Sequence, residues 1–140
     1  MGQSNVDFVR DVFDIFNREG GEAAIDFAMA GGTELVWHAA PEWPGRPTYE
    51  GREGALELIQ EWTGSFEEYR WDIDRLYDLD DDRVLVLAHH RGRTGETRVE
   101  GQVGAIWRLE EGRAVEAQFF FEWHEAMAAA GVDRTQQHVN

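Results

Sequence analysis

Residues 83–91 read RVLVLAHHR. Turn signals flank the stretch, Asp80-Asp81-Asp82 before it and Thr94-Gly95-Glu96 after it, so it reads as a strand. The run Val84 to Ala88 is apolar at every position, which means both faces of this strand must be covered. The core covers one face, and a partner subunit is one way to cover the other. Alternation puts His89 and Arg91 on the face of Leu85 and Leu87, and His90 on the face of Val86 and Ala88.

Working outward, Arg98 to Leu109 returns the chain, Glu110-Glu111-Gly112 turns it, and Arg113 to Glu122 forms the last strand. Upstream, Tyr69, Trp71 and Ile73 alternate with Arg70, Asp72 and Asp74. Leu76 lies three residues beyond Ile73, so the alternation slips near Arg75, as at a bulge. Short turns join these four strands, and an antiparallel meander follows. Before them, Phe8, Val9, Val12, Phe13 and Phe16 recur at helical spacing over about 4–18, with Ser4 and Asp7 as a capping box and Gly20-Gly21 as a stop. Glu22 to Ala30 reads as a short second helix ended by Gly31-Gly32, and Thr33 to His38 as a strand. Residues 39–51 read as a proline loop, and Arg52 to Thr63 as a third helix. His124 to Ala130 reads as a last helix capped by Gly131, followed by a polar tail over 133–140. The order is α α β α β β β β α in one domain over 1–140. The early helices are expected on one face of the sheet.

Composition narrows the chemistry. The chain has 140 residues, 42% of them hydrophobic and 12% aromatic, so one core is affordable. The formal net charge of −15 repels phosphate backbones and anionic lipid, which argues against nucleic-acid and membrane partners. No apolar run approaches the ~20 residues of a spanning helix, and no signal peptide is legible, so the cytoplasm is the expected compartment. Without cysteine there is no thiol nucleophile, disulfide or thiolate metal site. All thirteen Lys/Arg positions are Arg, so Schiff-base chemistry is excluded. The two serines, Ser4 and Ser65, sit at a helix start and a helix-ending turn. His89 and His90 are adjacent on a strand and point opposite ways, so they cannot hold one ion, and neither HExxH nor a phosphate loop occurs. No metal or cofactor is expected. General acid–base work by His, Asp/Glu, Arg and Tyr is the chemistry left.

Several stretches together resemble one family. They are FNREGGEAAIDF, LVWHAAPEWPGRPTYEGREGALEL, VLVLAHHRGR with its return ending VGAIWRLEEGRAVEA, and FFFEWHEAMAAAGV. In this order they are similar to the SnoaL-like (polyketide cyclase-like) branch of the nuclear transport factor-like, ketosteroid isomerase-like superfamily, over about residues 6–132. The resemblance implies an α+β cystatin-like cone, a curved and largely antiparallel sheet wrapped round N-terminal helices. It also implies a small-molecule pocket and a homodimer through the outer sheet face. Isomerases, cyclases, epoxide hydrolases and non-catalytic binders share the fold, so fold leaves activity open.

Three residues are then candidates for catalysis. His38 ends its strand where the resemblance puts the carboxylate base of ketosteroid isomerases, and an imidazole accepts a proton near neutral pH. The plainer reading is a histidine pinning the proline loop. Glu122 lies near the water-activating acid of the epoxide hydrolases, among aromatics that would raise its pKa. The plainer reading is an exposed cap of the final helix. Arg91 would stabilise an anion, or belong to a salt-bridged rim. The oxyanion donors of the isomerases match Val12 and Ala105, which cannot donate, so steroid isomerisation is rejected. Tyr49, Trp62, His89, Trp107 and Phe119 are the expected pocket residues, suited to a neutral hydrophobic molecule. Three readings stand: a cofactor-free acid–base enzyme (cyclase, isomerase or epoxide-hydrolase-like), a non-catalytic ligand-binding dimer, and a protein-interaction module.

Overall fold

The computed structural model describes residues 2–30, 35–79 and 82–132. Helices α1 (Gly2–Glu19) and α2 (Gly21–Ala28) lead into strand β1 (Val36–His38). Strand β2 (Thr48–Glu50) and helix α3 (Gly51–Thr63) follow. Strands β3 (Glu68–Leu79), β4 (Arg83–Thr94), β5 (Thr97–Glu110) and β6 (Arg113–Phe120) come next, and helix α4 (Trp123–Ala130) closes the described chain. The sheet order is β2-β1-β6-β5-β4-β3, antiparallel except where β1 runs parallel to β6. Among the described residues no helix is long and apolar enough to cross a membrane.

The meander and the three early helices stand as the sequence predicts. The expected slip is real: the β3–β4 register shifts between Ile73 and Arg75. Trp71 and Ile73 therefore pack on the inner face before the shift and Leu76 after it, while Tyr77 turns outward. Some expectations need correcting. Helix α1 starts at Gly2, so Ser4 lies inside the helix and not at its cap. The proline loop contains the short strand β2, whose Tyr49 pairs with Trp37 of β1. Three residues among prolines and glycines carry too little periodicity to read as a strand. The Gly31-Gly32 stop, the Thr33 strand start, Asp80-Asp81 and the tail over 133–140 lie outside the described residues.

The two faces of the sheet have different covers. Helices α1, α2 and α3 lie over the inner face, where Trp37, Trp71, Val84, Val86, Ala88, Val103, Ala105, Trp107 and Phe119 join one core with Val9, Phe13, Ile25 and Leu58. At the sheet edge, the Asn17 side chain of α1 replaces a missing strand: its Nδ2 donates to Trp71 O at 2.6 Å, and Trp71 N donates to its Oδ1 at 3.0 Å. The three early helices share one face as expected, and helix α4 lies on the other, outer face. Ala126, Ala130 and Met127 close over Leu85, Leu87, Ile106 and Phe120. The second apolar face of VLVLA is thus covered by the chain itself, and that run needs no partner subunit to bury it.

Local chemistry fixes α4 there. Trp123 Nε1 donates to Ala88 O at 2.9 Å and to Val103 O at 3.1 Å, and Trp123 N donates to Gln102 Oε1 at 3.0 Å. Gly104 allows close approach, because a Cβ there would sit 3.0 Å from Ala126 Cβ and 3.2 Å from Val86 O. The helix ends as expected on Gly131, at φ 75°, with Val132 N donating to Met127 O at 2.9 Å.

Candidate functional site

A cavity of about 50 Å³ lies between the inner face and the three early helices. Trp37, Trp62, Trp71, Trp107, Phe13, Phe16 and Phe119 supply its aromatic wall, and Ala24, Ile25, Leu58 and Ile59 the aliphatic one. The rings interlock: Phe13 stacks on Trp71 at 4.9 Å, Trp37 stacks on Phe119 at 6.1 Å, and Trp107 meets Trp37 edge-on at 5.6 Å. An engineered apolar cavity of ~150 Å³ takes benzene, and drug-sized ligands occupy ~300–1,000 Å³. The aromatic side chains that suit a flat ligand therefore fill most of the room for one.

The lining carries no carboxylate, imidazole or guanidinium; Thr63 and Tyr69 are its polar side chains. Thr63 Oγ1 donates to Ile59 O at 2.8 Å. Tyr69 is a hub. Trp62 Nε1 donates to its hydroxyl at 2.7 Å and Trp71 Nε1 at 3.1 Å, and the hydroxyl lies 2.7 Å from His90 Nδ1. An indole only donates, so the hydroxyl accepts twice and gives its own proton to His90 Nδ1. That fixes His90 as the neutral tautomer with its proton on Nε2. Burial, together with the neighbouring His89, holds the His90 pKa below its ordinary value. Burial pushes the Tyr69 phenol up, away from ionisation.

The proline loop supplies none of the lining residues and packs instead against one of them, Trp62. Ala39 N donates to Pro47 O at 2.9 Å across its neck, and Trp43 stacks on Trp62 at 5.4 Å. Trp43 Nε1 donates to Tyr49 Oη at 3.1 Å, and Tyr49 Oη donates to Glu61 Oε1 at 2.7 Å. Gly45 lies against this trio: a Cβ there would fall 2.7 Å from Trp43 Nε1 and 2.8 Å from Tyr49 Oη.

The expected site residues divide. Trp62, Trp107 and Phe119 line the cavity. Tyr49 is buried beside it, holding Trp43 and Glu61. His89 faces outward against Trp123, at 4.9 Å between ring centroids, and is not a cavity residue. Arg91 is also on the outer face, 3.2 Å from Asp72 and 3.6 Å from Glu100, with its side chain 58% exposed. Glu122 is the N-cap residue of α4 and makes no side-chain cap bond; it lies 3.3 Å from His124 and is half exposed.

His38 is also outside. Its neighbour Trp37 points into the inner core, so the imidazole faces the other way. His38 Nε2 lies 2.8 Å from Glu116 Oε2, and Arg108 Nε donates to Glu116 Oε1 at 2.8 Å. Arg108, and then His38, hold the Glu116 carboxyl below its ordinary range. The three border an open groove of about 400 Å³ that also touches Arg83, Gln118, Ile106 and Ala129 of α4. The fold thus brings together none of His38, Arg91 and Glu122: strands β5 and β6 separate β1 from β4.

One further group gathers three acids. Glu42, Glu122 and Glu125 bring carboxylate oxygens within 4.8 Å of one another. Burial and the charges of Glu42 and Glu122 raise the Glu125 pKa.

Glu116, Arg108, Tyr69 and His90 carry contacts that residue-by-residue reading did not single out. Tyr69 had a signal in its alternation with Trp71. The Arg108–Glu116 pair needs the β5–β6 register, in which the two lie opposite.

An α+β sheet with three helices on its inner face and a small aromatic cavity between them defines a cone-shaped fold. The SnoaL-like domain model matches residues 9–117, and the chain belongs to that family. No curated protein matches the chain. Solved structures share the fold. An NTF2-like protein of unknown function from Burkholderia pseudomallei is 21% identical, with 91% of this chain and 97% of that one covered and a TM-score of 0.71. A candidate SnoaL-like polyketide cyclase from Jannaschia sp. CCS1 is 18% identical, with 94% of each chain covered and a TM-score of 0.66. A protein with a ketosteroid isomerase-like fold from Catenulispora acidiphila, in complex with trimethylamine, is 15% identical, with 93% and 96% covered and a TM-score of 0.66. At these identities the likeness shows the fold alone.

Proposed function

We propose that this SnoaL-like protein binds a small, neutral, mainly apolar molecule in the inner cavity and does no acid–base chemistry there. The observation that carries this reading is the lining itself, aromatic and aliphatic side chains with no ionisable acid or base of ordinary pKa among them. A charged ligand would lose its hydration without gaining a counter-charge. The small volume favours a compact ligand over a fused-ring one. The trimethylamine complex of the Catenulispora protein is a precedent for a ligand of that scale on this fold.

A thermal-shift screen of compact ketones, esters and hydrocarbons tests the reading. Ligand at a hundred times its dissociation constant adds ~2.7 kcal/mol, a rise of several degrees for a domain of this size. Saturable shifts support the cavity as the site. A flat response across compact compounds, with shifts only from large ones or from anions, would sink it.

A second reading rests on a separate observation, the His38–Glu116–Arg108 chain on the outer face. Glu116, kept ionised by Arg108, takes the proton side of Nε2 and leaves Nδ1 of His38 as a base at the open groove. Under that reading the chain is a cofactor-free acid–base enzyme. Arg91 and Glu122 have no part in it, because neither borders the groove. His38→Ala would then abolish a turnover that cavity-filling variants leave intact. A homodimer through the outer face remains a proposal too. It would meet this groove and not the VLVLA run, which α4 covers.

A further inference from the structure

The hydroxyl of Tyr69 has no spare place. It accepts from Trp62 Nε1 at 2.7 Å and from Trp71 Nε1 at 3.1 Å, and it donates to His90 Nδ1 at 2.7 Å. A phenol has two acceptor positions and one proton, so the count is full while His90 is neutral. A protonated imidazole carries hydrogens on both ring nitrogens. Nδ1 would then donate to the oxygen from which it now accepts. Three donors would compete for two acceptor positions, and the phenol proton would lose its acceptor. A charged donor holds the stronger bond, so an indole is the group displaced.

The surroundings decide which one. Trp71 is 3% exposed, its ring stacks on Phe13 at 4.9 Å, and its backbone is bonded in both directions to Asn17. Its bond to Tyr69 is the longer, but the ring has no other place to go, and its N–H would stay buried without an acceptor. Trp62 is part-exposed in the last turn of α3 and stacks on Trp43 of the proline loop. Its N–H can exchange the hydroxyl for water. Trp62 is also part of the cavity wall, so its departure opens that wall towards the loop.

The elements around His90 bring no carboxylate to it. Its cross-strand neighbours are Trp71 on β3 and Gly101 on β5. A Cβ at Gly101 would lie 3.5 Å from His90 Nε2, so glycine leaves that nitrogen uncovered on the β5 side. Phe16 of α1 and Phe66, between α3 and β3, pack on Tyr69, and neither ionises. Glu67, in the same connection, is held by Arg93 and Gly95 N. Arg91, with Asp72 and Glu100, stands on the opposite face of the sheet, as does His89. Burial and the neighbouring His89 act on the His90 charge, and both disfavour it.

We propose that His90 is a proton switch for the wall of the inner cavity: neutral, it lets Tyr69 hold Trp62 and Trp71 together; protonated, it releases Trp62. The switch does not depend on what the cavity binds. A pH-dependent occupancy of the cavity follows from it, and that consequence alone rests on the cavity being the ligand site.

The test uses the full chain labelled with ¹⁵N at its tryptophan indoles and ¹³C in its histidine rings, titrated from about pH 7.5 to about 5, a range that brackets an ordinary histidine. Trp62→Phe, Trp71→Phe and His90→Asn assign the resonances. The asparagine also keeps an acceptor near the place of Nδ1 that takes up no proton in this range. The Trp62 indole proton should leave its bonded position and gain exchange with water at the midpoint of the His90 ring, below the ordinary 6.5. A one-proton switch changes the ratio of released to held Trp62 about tenfold per pH unit. The Trp71 indole should stay protected from water, and His90→Asn should hold both indoles through the same range. A Trp62 indole that stays bonded while the His90 ring titrates would overturn the switch. So would displacement of Trp71 in its place, a Trp62 transition that survives in His90→Asn, or unfolding before the His90 ring titrates. If His90→Asn fails to fold, His90→Gln assigns the ring, and agreement or disagreement of the two midpoints in the parent decides.

Discussion

The inner and outer faces of the sheet treat polar groups in opposite ways. On the inner face, hydroxyl, imidazole and indole groups are locked into one another: Tyr69 accepts from Trp62 and Trp71 and gives to His90. Two indole donors are left over, and no ionisable acid joins them. On the outer face, charges pair in the open: His38 and Arg108 with Glu116, and Arg91 with Asp72 and Glu100. The residue types that suggest catalysis are therefore on the wrong side of the sheet for the aromatic pocket. Counting catalytic residue types overlooks this, because adjacent strand positions serve opposite faces.

The comparison can be broken most forcefully from the inside. Trp71→Ala removes a buried ring that stacks on Phe13 and donates to Tyr69, so it should cost ~3–5 kcal/mol in urea unfolding. A loss near zero would mean that the inner rings are not the packed unit described. Next in size, Gly104→Val drives a side chain into Ala126 and should cost ~1–3 kcal/mol by lifting α4. It should also expose Leu85 and Leu87 and promote association on size-exclusion chromatography. An unchanged monomer–oligomer balance would argue that α4 is not their cover.

The pH response sharpens the contrast. Folded His90 resists protonation, with its pKa below the ordinary 6.5. The unfolded chain takes up that proton first, so His90 contributes fully above the unfolded value and its contribution is lost as pH falls below it. The melting temperature should drop from pH 7 to 5, and His90→Asn should flatten the drop. Glu116 acts at lower pH: its stabilisation is present above the ordinary carboxylate value and fades as pH falls through its depressed one. The smallest effect belongs outside. Glu116→Gln breaks a partly solvated ion pair and should change stability by no more than ~1 kcal/mol in denaturant unfolding. A larger loss would make the outer cluster structural.

Much of the fold was legible because it depends on period and punctuation. The slip at Arg75, the two apolar faces of VLVLA and the Gly131 cap all follow from local spacing. The cover of the second face was not, because a short helix after a last strand can turn to either side; the bonds of Trp123 and the gap at Gly104 decide it. The side of His38 was legible in principle: a buried Trp37 sends its neighbour outward. The cavity volume was not, since ring-on-ring packing sets it at the scale of single atoms.

The central claim is that the working site is the neutral inner cavity and not the charged outer groove. The most direct measurement is binding of a compact ketone, acetone, followed by thermal shift, in the parent, in Ala24→Leu and in His38→Ala. Ala24 is buried in the cavity wall, and leucine there fills the space; His38 borders only the groove. The account predicts that Ala24→Leu loses the shift while His38→Ala keeps it. A shift retained by Ala24→Leu and lost in His38→Ala would contradict it.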